Sequence, residues 1–258
     1  MLVDSHCHLD YFTEAEIEDI VARAREAGVG RMVSIGTRVG QAVQVKALAE
    51  RFPDVWGTVG VHPHNAGEPE GMPTTAEIVA LADHPRVIGI GECGLDYFYD
   101  KSPREAQQEG FRRHIRAARQ TGLPVCIHAR QADEDILSIL REETAAGGAF
   151  PFLLHCFSSG AELARGALAM GGYLSFSGIL TFPKSPEIRA IAAEAPADRI
   201  LIETDSPYLA PVPLRGKRCE PGYVAHTAKV LAETRGLGIA EAEALTTTNF
   251  LRLFPKAA

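Results

Sequence analysis

Hydrophobic and polar positions follow two alternating rhythms along the chain. Short runs of apolar or β-branched residues fall at 1–5, 31–36, 55–61, 87–91, 124–127, 150–154, 172–177 and 199–203. Runs of this length bounded by turn residues predict buried strands. Amphipathic segments lie between them. In the segment after Pro103, Phe111, Ile115 and Ala118 recur at helical spacing, and Gly122 offers a stop. Thr13 with Glu16, Thr74 with Glu77 and Ser102 with Glu105 have capping-box spacing, while Pro103 and Pro186 suit first helical positions.

Eight strand-like runs alternating with helices predict a parallel sheet joined by crossover helices. That count, and a length of 258 residues, favour a closed (β/α)8 TIM barrel over an open doubly wound sheet. No glycine-rich phosphate loop follows the first strand, which weakens the nucleotide-binding alternative. No linker or low-complexity stretch interrupts the chain, so residues 1–258 are read as a single domain.

The strand ends carry the chemistry. The first run closes in His6-Cys7-His8, the third leads into GVHPHN, the fourth into GECGLDY and the fifth into IHAR. The sixth closes in LHCFS and the eighth in ETDSPYL. In a barrel all these ends lie on the C-terminal face, where catalytic groups gather. Buried ionisable groups are costly unless paired or ligating, so a shared metal cluster is the simplest common explanation. His6, His8, Glu92, His128, His155 and Asp205 form the candidate ligand set. Nitrogen and oxygen donors of this kind suit Zn²⁺, Mn²⁺, Fe²⁺ or Co²⁺, with Mg²⁺ less comfortable beside imidazoles. Six ligands exceed the need of one metal with an open position, so two divalent ions account for them better. Glu92, with two oxygens and a place in the middle of the barrel, is the candidate bridge.

Other histidines read differently. His84 in a loop, and His114 and His226 in helices, are taken as surface or packing residues. His62 and His64 follow the third strand on the active face, where they would touch substrate phosphate or support the ligands.

Composition narrows the class. Apolar residues make up 46% of the chain, and no apolar run reaches the roughly 18–20 residues of a membrane span. Asp4 and His6 stand where a signal peptide would need basic and then apolar residues. Five cysteines without a Cys-x-x-Cys pair indicate reduced thiols, so a cytoplasmic location is expected. Cys7, Cys93, Cys126 and Cys156 read as small buried hydrophobes beside the ligands. A net charge of −7 excludes an extended basic nucleic-acid surface, though bound cations would invert the field locally. Arg215, Lys217 and Arg218 form a local basic patch beside Asp205, against the alternative of a solvated charged loop. Tyr97, Phe98 and Tyr99 would either stack on a base or pack within a loop.

With these residues collected, the chain closely resembles the TatD family of metal-dependent deoxyribonucleases, within the amidohydrolase-like barrel superfamily. DSHCHLD, GVHPH, GECGLDY, IHAR, HCFS, ETDSPYL, RGK before EP, and NFLRLF carry the resemblance from end to end. It implies a two-metal phosphodiesterase, of exonuclease type, acting on DNA ends. In that pattern His6 and His8 hold one metal, His128 and His155 the other, and Glu92 bridges. Asp205 completes the first site and handles the proton of the attacking water. Arg130, His64 and Lys217 would bind substrate. The loop RGKRCEP departs from the pattern, with Cys219 where the family commonly has Asn, which puts a loop contact near the substrate in question. No obligatory protein partner and no membrane are implied. Removal of D-amino acids from tRNA remains open at the family level. An amide or lactone hydrolase bridged by a carbamylated lysine is disfavoured, since the bridge position is Glu92 and the fourth strand has no lysine. An inactive metal-dependent scaffold is disfavoured by the intact ligand set.

Overall fold

The computed structural model describes residues 1–68 and 71–258. Among these, strands and helices alternate. β1 (Leu2–Cys7), α1 (Glu14–Glu26), β2 (Val29–Ser34), α2 (Ala42–Arg51), β3 (Val55–Val59) and α3 (Thr75–Ala82) come first. β4 (Val87–Asp96), α4 (Arg104–Thr121), β5 (Val125–Arg130), α5 (Asp133–Gly147), β6 (Phe152–Leu154) and α6 (Ala161–Ala169) follow. β7 (Tyr173–Phe176), α7 (Pro186–Glu194), β8 (Ile200–Ile202), α8 (Val224–Arg235) and α9 (Ile239–Leu253) complete the order. The strands pair in parallel in sequence order, each with the next. The ring closes where the chain leaves β8. There the Asp205 N–H donates to the His6 carbonyl at 2.9 Å and the His8 N–H to the Ser206 carbonyl at 2.8 Å. The architecture is the expected (β/α)8 barrel.

Two apolar layers hold it. Between strands and helices lie Ile17, Ile20 and Val21 of α1, Phe111 and Ile115 of α4, and Leu137 and Leu140 of α5. Inside the barrel, Val33, Ile88, Leu153 and Leu201 pack on Phe250 and Phe254, which plug the N-terminal end. Burying one such side chain is worth about 1.5–3 kcal/mol. The N-terminal end of the barrel is therefore packed with apolar side chains, and the largest cluster of buried histidines and carboxylates lies at the opposite rim.

Local signals act mostly as read. Thr13 with Glu16 and Thr74 with Glu77 form capping boxes, Pro186 opens α7, and Gly122 ends α4 at φ +72°. Ser102 does not cap α4, which starts at Arg104 behind Pro103. Its hydroxyl instead accepts from the Gly67 N–H at 3.0 Å and donates to the His64 carbonyl at 2.8 Å, fastening the loop after β3.

β4 runs to Asp96, beyond the expected end at residue 91, and pairs with β5 as far as Arg130. Glycine makes this extension possible. Gly91 and Gly94 have φ of +132° and +131°, and a Cβ on Gly91 would lie 2.6 Å from the Cys126 carbonyl oxygen. A Cβ on Gly94 would collide with the His128 carbonyl. The two backbones carrying Glu92 and His128 thus approach more closely than any side chain would allow.

His114 is a packing histidine, as expected, with a defined task. Its Nδ1 donates to the Gly110 carbonyl at 2.7 Å and its Nε2 accepts from the Val61 N–H at 3.0 Å, which requires the neutral ring. Burial lowers its pKa to about 4. Below the unfolded value near 6.5, the unfolded chain binds a proton that the folded chain refuses until about pH 4, so stability falls across that window. The contribution is on the order of 3 kcal/mol. Urea unfolding of the native sequence and His114→Gln between pH 7.5 and 4.5 should therefore show a shallower acid loss in the variant. Parallel curves would mean that His114 does not control this dependence.

Candidate metal centre

Most polar residues of the rim arrive in pairs two or four positions apart, the spacing that puts both members on one side of an extended strand. β1 and its exit supply His6 and His8; the exit of β3 supplies His62 and His64. β4 supplies Glu92 and Asp96, β5 His128 and Arg130, the exit of β6 His155, and the exit of β8 Glu203 and Asp205.

Glu92 stands at the centre. Its Oε1 lies 2.8 Å from His155 Nε2, 2.9 Å from His128 Nδ1 and 3.3 Å from His62 Nε2. Its Oε2 lies 3.4 Å from His6 Nε2 and 3.8 Å from His8 Nε2. Asp205 Oδ1 is 3.4 Å from His8 Nε2 and 3.6 Å from His6 Nε2. The six residues singled out as ligands are thus brought together. Three sets of ligand atoms fall within 4.8 Å of one another: His6, His8 and Asp205; His6, His155 and Glu203; and His62, Glu92 and His128.

The electrostatics follow from burial opposed by close partners. Burial pushes the Glu92 carboxyl up, but His155, His62 and His128 more than reverse this and hold it well below its ordinary range. Asp205 is likewise pushed up by burial and drawn below its usual value by His8, His6 and His155. Burial would depress His155, yet Glu92 and Glu203 raise it well above an ordinary imidazole. His6 is lowered by burial and by His155, and burial brings His62 down to about 4.

The donor set fits divalent ions. His6 Nδ1 and Glu203 Oε2 are buried without a hydrogen-bond partner. His6 Nε2 and His8 Nε2 face each other at 3.4 Å, so two imidazole lone pairs share one space. A divalent cation would satisfy such groups together.

Around this core a second ring of contacts fixes the imidazoles. His8 Nδ1 lies 3.3 Å from the Ile35 carbonyl, and His155 Nδ1 lies 3.2 Å from Glu203 Oε1. His128 Nε2 lies 3.1 Å from Asp96 Oδ2, which His64 Nε2 also approaches at 2.8 Å. The other Asp96 oxygen accepts the backbone N–H groups of Phe98 and Tyr99 at 3.1 and 2.9 Å. Burial raises the Asp96 pKa, but these partners win and hold it far below the ordinary range. Asp4 accepts the Thr204 N–H at 2.8 Å and its hydroxyl at 2.6 Å, tying β1 to the exit of β8.

Sequence reading missed Glu203, Asp96 and Asp4, and did not count His62 among the ligands. The spacing held a signal for two of them. Glu203 stands two residues before Asp205, and Asp96 four after Glu92, so each shares its strand face with a residue already singled out.

A cleft of about 1170 Å³ opens outward from His128, His155 and Asp205. Arg130 lines it, its guanidinium 4.3 Å from the Phe98 ring and 4.8 Å from that of Tyr99. His64 sits beside Asp96, whereas Lys217 lies on the exposed loop after β8, outside the cleft lining. The expected basic patch is dispersed. Arg215 stacks over Phe182 at 3.8 Å, and Arg218 is engaged by Glu16 at 2.9 Å and by the Phe12 ring at 4.2 Å. Cys219 is neither a substrate contact nor a solvated surface group. It is fully buried, its N–H donating to the Pro207 carbonyl at 3.0 Å, and burial pushes its thiol pKa up. Cys7, Cys93 and Cys126 are buried as expected, while Cys156 is half-buried on the cleft wall. Tyr97 lines the cleft and is tied to α5, its hydroxyl donating to Asp135 at 2.6 Å. His84 pairs with Glu50 at 3.0 Å, and His226 sits half-buried in α8.

Asp96 orients His128 through the ring nitrogen that faces away from Glu92. Carboxylates in this position typically control metal affinity by 10–100-fold. Asp96→Asn should weaken divalent-metal binding by about that factor, read by competition with a chromophoric chelator. Unchanged affinity would remove Asp96 from the support of the centre.

The chain matches the TatD related DNase family over residues 3–255. It is 39% identical to the uncharacterized metal-dependent hydrolase YabD of Bacillus subtilis (strain 168), covering 98% of this chain and 99% of that protein. It is 37% identical to the 3'-5' ssDNA/RNA exonuclease TatD of Cronobacter sakazakii, over 93% of this chain and 92% of that one. Among solved structures, the TatD homolog YJJV of Escherichia coli K12 superposes with a TM-score of 0.89 at 26% identity, covering 98% of both chains. Barrel, rim geometry and similarity across nearly the full length agree: the chain belongs to the TatD-related DNase family.

Proposed function

We propose that this chain is a divalent-metal-dependent hydrolase that cleaves phosphodiester bonds of nucleic acid, working as an exonuclease-type deoxyribonuclease on DNA ends. One observation carries the reading: His6, His8, His62, His128 and His155 converge on Glu92, with Asp205 beside them, at the base of an open cleft. The name of the Cronobacter sakazakii relative, an exonuclease acting on single-stranded DNA and RNA, supports this substrate class.

His6, His8 and Asp205 would hold one ion and His128 and His155 the other, with Glu92 shared between them. Bound there, divalent ions lower the pKa of a coordinated water and offset charge on the scissile phosphate. The chain supplies the rest. The Asp205 carboxylate, held below its usual pKa, is ionised at neutral pH and accepts the proton of the attacking water at an Oδ atom. Arg130, on the cleft wall, presents its guanidinium to a non-bridging phosphate oxygen. His64, held by Asp96, lies 5.4 Å from the Tyr99 ring that Arg130 also faces. The N-terminal end of the barrel is closed by apolar packing, so the cleft is the open approach to the site.

Metal-loaded protein incubated with end-labelled single- and double-stranded DNA should yield a ladder receding from one end. Absence of any product from either substrate would overturn the nuclease reading. Asp205→Asn should lower the turnover number by about 10²–10⁴ while DNA binding persists. Wild-type turnover with normal binding would exclude Asp205 as the base. Glu92→Ala should lose activity by several orders of magnitude and lower the metal content, and near-normal turnover would sink the shared-carboxylate arrangement.

A further inference from the structure

Most aromatic side chains of this protein are buried or half-buried. Among the described residues, the aromatics ranked with the exposed large hydrophobics are Phe98, Tyr99 and Tyr208, at 50, 52 and 54% exposure. All three stand at the mouth of the barrel, on two sides of the candidate metal centre. Phe98 and Tyr99 follow β4, while Tyr208 follows β8, and in a ring of eight strands paired in order these positions are opposite. The Tyr99 ring lies 5.4 Å from His64, and Tyr208 lies 6.5 Å from His8. Each group is therefore one ring away from a rim histidine.

Both groups are braced from behind. Phe98 and Tyr99 meet edge to face at 4.9 Å, their backbone N–H groups are held by Asp96, and Arg130 lies against both rings. Tyr208 meets Tyr11 edge to face at 6.4 Å, and Tyr11 is itself stacked on His8 at 4.7 Å with its hydroxyl bonded to Thr37. Each ring is thus held in place on one side by the protein while about half of its surface stays open to solvent at the site entrance.

The charge of the cleft indicates what should cover these rings. Arg104, Arg130 and Lys184 on its walls are outnumbered by Asp133, Glu134, Asp135, Glu187 and Asp205, in a protein of net charge −7. Such a cleft gives a polyanion little net attraction along its length, so affinity must come from elsewhere. Bases offer a π-face whatever their sequence.

Resting on the phosphodiesterase reading above, we infer that Phe98 with Tyr99, and Tyr208 on the opposite side, are two base-stacking platforms that grip a single strand on both sides of the scissile phosphate. The productive substrate then carries a base on each side of the cleaved bond, and duplex ends are engaged only once frayed. With so few phosphate contacts, log affinity against log salt should have a slope of about −1.4 to −3, at roughly −0.7 per contact.

The test uses metal-loaded full-length protein carrying Asp205→Asn to block cleavage, and short single-stranded DNA with one abasic sugar on either side of the scissile position. Removing a base should weaken binding about 5- to 100-fold on each side. Phe98→Ala combined with Tyr99→Ala should abolish that preference on one side only, and Tyr208→Ala on the other only. Tyr208→Phe should retain it, and unfolding curves report whether each variant folds. No base preference, or the same preference in every variant, overturns the inference. Cleavage of the same DNA by protein without Asp205→Asn is measured alongside. Base preference without cleavage overturns the nuclease reading and leaves the platforms standing, whereas cleavage without base preference does the reverse.

Discussion

The carboxylate of Glu92 is the contact on which the upper half of the molecule depends. Imidazoles from the ends of β1, β3, β5 and β6 converge on its two oxygens. Five strand ends, counting β4 itself, are thereby referenced to one group. In so buried a place an isolated carboxylate would be expelled or protonated. Here its histidine partners hold it well below its ordinary range, and it in turn raises His155. The glycines on either side of Cys93 follow from the same demand, because Glu92 reaches this point only if β4 presses against β5.

Closure of the barrel is a second consequence. The sheet has no long β8–β1 ladder; the join is made by Asp205 to His6 and His8 to Ser206, with Asp4 gripping Thr204 alongside. Residues that would hold a metal are also those whose backbones complete the ring. Asp205 accepts a left-handed backbone, φ +60°, as part of this join, a conformation costing on the order of 1–3 kcal/mol. The cost is tolerated because the dry packing below supplies stability that the rim does not have to provide.

The division between what the sequence made legible and what it did not follows from periodicity. Alternating apolar runs placed every strand, since a buried parallel strand must be apolar on both faces. The same argument stopped β4 at Gly91, because Glu92 interrupts the apolar run although the backbone continues to pair. Six ligand candidates were visible as ionisable residues where packing wants none. Glu203 and Asp96 were hidden because each sits beside a residue that already accounted for its segment. Ser102 was misread for a related reason: its spacing to Glu105 satisfied a local rule, while its hydroxyl was taken by Gly67 and His64, contacts distant in sequence. Cys219 likewise reads as a loop residue along the chain but is covered in space.

The exposed surface divides along similar lines. Cationic side chains expected to gather beside Asp205 instead serve the fold: Arg218 ties the loop after β8 to α1, and Arg215 covers Phe182. On the proposed reading, a protein with surplus negative charge that receives an anion has two physical routes, neutralising charge along a track or concentrating it at one point. The rim histidines and carboxylates suit the second, since bound divalent ions would place positive charge where the proposed substrate's phosphate would sit. A point attraction of that kind fixes one phosphate but gives no orientation to the chain on either side of it. Orientation has to come from contacts that do not depend on net charge, and the exposed rings at opposite edges of the mouth are the contacts of that kind that the fold provides.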